Sequence, residues 1–115
     1  MKHLLLMLSF TVALAGSQVA AITISEYEQF HKIDKHGADM YISGIAEGII
    51  TARAGFQFYN QGSNYIDLFC IPDGIKVGAN LAKVAMQAYK EANRSDDAFV
   101  GFAVAEGLSK MFPCN

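Results

Sequence analysis

Apolar positions recur at helical spacing along most of the chain. The longest run is Ile42, Ile45, Ile49, Ala52, Phe56 and Tyr59, at steps of 3, 4, 3, 4 and 3. Those steps draw one apolar stripe on a helix expected from near Asp39 to near Asn60. A shorter helix is expected ahead of it. Ser25-Glu26-Tyr27-Glu28 reads as a capping box, and Tyr27, Phe30 and Ile33 fall on one side before Gly37 ends the helix. Asn60-Gln61-Gly62-Ser63-Asn64 is a break, and the apolar stretch 65–71 is expected to lie down on the core. Pro72-Asp73-Gly74 is a turn, because the residue before Pro is pushed out of the helical region. A third helix follows to about Ala92, with Val77, Leu81, Val84, Ala85 and Ala88 on one face. A fourth is expected over 97–111, capped by Ser95 or Asp96, lined by Val100, Val104, Leu108 and Met111, and stopped by Pro113. No β-alternation of useful length and no internal repeat interrupts this pattern. The expected architecture is all-α, a small compact bundle of four to five helices.

The first twenty-one residues read differently. Lys2 and His3 make a short basic region, residues 4–15 are apolar, and small residues follow, as in a secretory signal peptide. Cleavage after Ala15 or Ala21 fits, and Ala21 is favoured. The apolar run falls short of the roughly 20 residues a bilayer crossing needs. Ser17 stands where a lipoprotein would carry its acylated Cys. The expectation is therefore a leader over 1–21 and one helical domain over 22–115, exported, with no membrane attachment after cleavage.

Composition narrows the function. The chain has 115 residues, 52% of them apolar and 17% charged, with nine Lys and Arg against eleven Asp and Glu. That is one domain, too apolar for disorder and without the basic excess of a nucleic-acid binder. Loss of the leader removes Lys2 and leaves a formal charge of −3. The two cysteines, Cys70 and Cys114, both fall in the mature part. In an exported chain they are expected to form one disulfide, the rival being free thiols or an intermolecular bridge.

Signals for chemistry are sparse. His31 and His36 lie five residues apart and share no helical face; His31 with Asp34, or His36 with Asp39, offers only two ligands to a metal. No nucleophile motif places a Ser or Cys beside a base, and Asp96-Asp97 reads as helix capping. No catalytic residue, metal or cofactor is expected, and the chain is not expected to be an enzyme. Gly44 and Gly48, four apart beside the long stripe, are expected to face another helix closely, in the monomer or across a dimer. The segment 56–65 is rich in Tyr, Phe, Asn, Gln, Ser and Gly, residues suited to adaptable protein contacts. With Phe56 and Tyr59 assigned to the core, Phe58, Asn60, Gln61, Asn64 and Tyr65 are expected to point outward. Together with Arg94 at the later turn they form the candidate partner surface.

Phe69-Cys70-Ile71-Pro72-Asp73-Gly74-Ile75, the helix ending Tyr89-Lys90, Leu108 and the terminal Phe112-Pro113-Cys114 resemble the Rap/Tai family. Those are small exported immunity proteins associated with type VI secretion. Tyr41-Ile42-Ser43-Gly44-Ile45-Ala46-Glu47-Gly48 is similar to that family's Gly-spaced helix. The resemblance runs from about Met40 to Cys114. Many members carry another Cys just ahead of that helix, absent here, and Asn80 stands where Gln is common. The resemblance implies a periplasmic protein, usually part of a homodimer. It would occlude the cleft of a secreted cell-wall hydrolase, a peptidoglycan amidase in the best-known cases. The alternative is a periplasmic helical binding or chaperone-like protein with no toxin partner.

Overall fold

A computed structural model describes residues 21–59 and 67–115. The leader expected over 1–21 lies, up to residue 20, outside the described residues, as do Asn60, Gln61, Asn64 and Tyr65 of the candidate surface. Four helices form the fold: α1 (Ile24–Ile33), α2 (Lys35–Tyr59), α3 (Ala79–Asn93) and α4 (Val100–Met111). Among the described residues the β content is a single antiparallel bridge between Thr23 and Phe99. No described helix is long and apolar enough to cross a membrane.

The N-cap of α1 lies two residues earlier than expected. Thr23 caps α1, its hydroxyl accepting the Glu26 amide proton at 3.2 Å, so Ser25 and Glu28 fall inside the helix. Glu28 instead pairs with Lys90 of α3 at 2.5 Å. Helix α1 stops at Ile33 rather than near Gly37, because Asp34 leaves helical geometry and caps α2 through a 2.9 Å bond from the Gly37 amide. A Cβ at Gly37 would crowd the Asp34 carboxylate and push that cap aside. Ile33, expected on the apolar side, is 87% exposed.

The core is small-residue rich. Ile24 and Tyr27 of α1, Ala38, Ile42 and Ala46 of α2, Ala82, Ala85 and Met86 of α3, and Val100, Ala103, Val104 and Leu108 of α4 are buried, with Phe69 from the connecting segment. The expected stripe of α4 is therefore the observed one, apart from Met111, which is only half-buried. The face of α3 is turned: Ala82, Ala85 and Met86 point inward and Val84 is exposed. Gly107 explains the turn. A Cβ there would lie 2.0 Å from the Ala85 carbonyl oxygen, so α3 and α4 meet backbone to backbone at Gly107 and Ala85.

Among the described residues nothing makes the close approach expected at Gly44 and Gly48. Both are exposed, with nothing within 4 Å of an added Cβ. The α4 cap is also not the expected one. Ser95 accepts only the Asp97 amide, and Phe99, the N-cap, makes no side-chain bond. Backbone bonds between the two helix starts do the work: the Val100 amide of α4 donates to the Ile22 carbonyl, and the Ile24 and Ser25 amides of α1 donate to the Ala98 and Asp96 carbonyls, each at 3.0 Å. The first residues beyond Ala21 are thus built into the fold.

Cys70 and Cys114 form the expected disulfide, 44 residues apart with a Cα–Cα distance of 5.1 Å. Beside it the Cys70 amide donates to the Phe112 carbonyl at 2.8 Å, and the Ser109 hydroxyl donates to the Leu68 carbonyl at 2.8 Å. The segment leading into α3 is stitched to the end of α4, and Gly74 (φ +88°) completes the expected turn, with the Ile75 amide donating to Pro72 at 3.3 Å.

Candidate functional site

Helix α2 has 25 residues, about 37 Å at 1.5 Å per residue. Its buried positions end at Ala46. The stripe continues in sequence but leaves the bundle: Ile49 is half-buried, Ala52 is exposed, Phe56 is 59% exposed and Tyr59 86%. Phe56 and Tyr59, expected in the core, stand outside it because no other described helix extends alongside them. Phe58, expected outward, is 68% exposed and meets Tyr59 edge to face at a centroid distance of 5.5 Å. The last turn of α2 is an aromatic tip.

One clasp fixes that tip to the bundle. Arg53 donates through Nε and Nη2 to the two Asp67 oxygens, each at 3.0 Å, and Gln57 donates to the same carboxylate. The guanidinium also sits 5.1 Å over the ring of buried Phe69. The Arg53 bonds hold the Asp67 carboxyl below its ordinary pKa, against a smaller upward push from burial. The clasp thus orients the helix end across the segment that bears Cys70.

Arg94 is not part of this tip. It follows α3 in left-handed geometry (φ 49°, ψ 40°), beside the 95–99 turn that pairs with the start of α1. Lys90 of α3 meets Glu28 of α1, Lys83 meets Asp39 of α2, and the residues before α3 line a cleft with Ser43, Glu47 and Thr51. Helix α3 therefore runs opposite to α2, placing Arg94 and Phe58 at opposite ends. Of the candidate surface, the two described residues are thus apart: Phe58 on the aromatic tip and Arg94 exposed at the other end.

The histidines pair differently from the i, i+3 spacings. His31 approaches Asp39 of the next helix, Nε2 to Oδ1 at 3.9 Å, and Lys83 forms an ion pair with the same carboxylate. The Lys83 bond is the main cause that holds Asp39 below its ordinary pKa. Tyr27 lies against His31, ring centroids 6.1 Å apart. This meeting of α1, α2 and α3 had no sequence signal, since its members are spread from residue 27 to residue 83. Among the described residues no three metal-binding side chains cluster.

Comparison with protein-family models, with curated proteins and with solved structures finds no match to this chain.

Proposed function

We propose that this chain is an exported immunity protein of the Rap/Tai kind. In that role it acts in the periplasm by binding and occluding a secreted cell-wall hydrolase of the peptidoglycan-amidase class. The carrying observation is the aromatic tip: Phe58 and Tyr59 stand exposed on a helix end braced by the Arg53–Asp67 clasp. Rigid exposed aromatics are the anchors that dominate protein–protein affinity, because they bury large areas at little entropic cost. Such an inhibitor works by filling a cleft and uses no catalytic residue of its own. The disulfide and the resemblance of the Cys70–Ile75 and Phe112–Cys114 blocks support the reading.

A homodimer belongs to this proposal. Gly44 and Gly48 continue through Thr51 to Gly55 at steps of 4, 3 and 4 on the side of α2 away from the core, with open space above the three glycines. A second copy lying antiparallel, centred between Ile49 and Ile50, would set Gly44 against Gly55 and Gly48 against Thr51. Gly48→Leu is expected to dissociate that pair in sedimentation while leaving the monomer folded.

The decisive experiment is a titration against the hydrolase encoded beside the gene. Phe58→Ala with Tyr59→Ala is expected to weaken binding by about 2 kcal/mol or more, with the melting temperature unchanged. Full affinity in the double variant would move the contact elsewhere. The second reading, a periplasmic binding protein with no toxin partner, is favoured by the apolar groove between α1 and α3.

A further inference from the structure

A groove of about 720 Å³ runs between α1 and α3, within the ordinary size of small-molecule sites. It shares no residue with the aromatic tip. Tyr27, Val84, Met86 and Ala88 supply its apolar surface, with Tyr27 and Met86 themselves buried and Val84 54% exposed.

The charges around it cancel. Lys83 is spent on Asp39 and Lys90 on Glu28, while Lys32 and Glu91 contribute one charge of each sign at the mouth. A groove so bordered offers no net charge to a ligand and favours neutral molecules over ions. Among the described residues that line the groove, Tyr27 carries a hydroxyl buried without a hydrogen-bond partner, in a residue only 3% exposed. Burial first, and the Asp39 carboxylate second, push the Tyr27 pKa upward, so the phenol keeps its proton and acts as a donor. A buried donor without an acceptor is unfavourable, and a ligand oxygen supplies what is missing. Met86, an unbranched and adaptable thioether, lies on the same floor and is itself buried.

From these features we infer that the α1–α3 groove binds a neutral, largely apolar small molecule that presents a carbonyl oxygen to the Tyr27 hydroxyl. The ligand's body lies on Val84, Met86 and Ala88. The inference does not depend on the immunity reading, because the groove and the tip are separate.

Nile red, neutral and carbonyl-bearing, is a direct probe. Titrated into the disulfide-bonded protein, it is expected to show saturable, blue-shifted emission with one site per chain. Val84→Lys places a charge on the exposed part of the floor and is expected to weaken binding at least tenfold. Tyr27→Phe keeps the shape, removes the donor, and is expected to weaken binding roughly three- to tenfold with an unchanged or raised melting temperature. Phe58→Ser is expected to change nothing. Absence of saturable binding would overturn the inference. So would full affinity in Tyr27→Phe, or a loss of binding caused by Phe58→Ser and not by Val84→Lys.

Discussion

Helix α4 and the distal half of α2 carry the same kind of apolar stripe and meet opposite fates. In α4, Val100, Val104 and Leu108 are fully buried, and Gly107 lets α3 approach to backbone contact. In distal α2, Ala52, Phe56 and Tyr59 step along the helix with equal regularity and remain exposed. The glycines diverge in the same way. Gly107 is closed over by Ala85, whereas nothing stands within 4 Å of a Cβ at Gly44 or Gly48. A stripe is an offer of apolar surface, and stability comes only where a second element accepts it. Beyond Ala46 no described helix closes over the stripe of α2 as α3 closes over α4.

The largest effect that tests this contrast is expected at Leu108. Leu108→Ala should destabilise by about 2–5 kcal/mol through lost burial and a residual cavity, while Tyr59→Ala should leave the denaturation midpoint within about 0.5 kcal/mol. Equal losses would mean that the tip packs in solution. Next is Gly107→Ala, whose methyl meets the Ala85 carbonyl. It should cost at least about 1–3 kcal/mol, seen as a lowered melting temperature, because backbone must shift to admit it. Gly48→Ala is expected to have the opposite sign. In the dilute monomer it should stabilise by up to about 1 kcal/mol, since alanine gains helix propensity without meeting a neighbour. A destabilised Gly48→Ala monomer would remove the contrast between the two glycine sites.

The smallest effect concerns acid. The Asp67 pKa is lowered in the fold, chiefly by its bonds from Arg53. The unfolded chain then takes up the proton at higher pH than the folded one. The clasp's contribution is therefore complete above the unfolded carboxylate value of about 4 and declines as pH falls through the lower folded value. Asp67→Asn should flatten that acid-side decline in urea titrations at several pH values. An unchanged slope would show that the clasp does not hold in solution.

Much of this was legible in the chain. Helical spacing located all four helices, Pro72 and Gly74 marked the turn, and a count of two cysteines left one internal pairing, now seen between Cys70 and Cys114. Phe58 was legible as an outward residue because it lies off the stripe. Phe56 and Tyr59 were not, because the stripe shows which residues share a face but not whether another helix lies alongside. Ala103 and Gly107 form a small-residue pair four apart, the same local signal as Gly44 and Gly48. Only the position of α3 separates the two pairs.

The sequence by itself determined helical period, turn position and covalent pairing, because each depends on residues close along the chain or on a count with one solution. The tertiary structure alone decided which face of α3 turned inward, that Ile22 and Ala98 backbone would serve in place of side-chain caps, and that Tyr27, His31, Asp39 and Lys83 would meet. Those outcomes depend on how closely two backbones can approach, and that distance is set at Gly107 and Ala85 by atoms 22 residues apart in sequence.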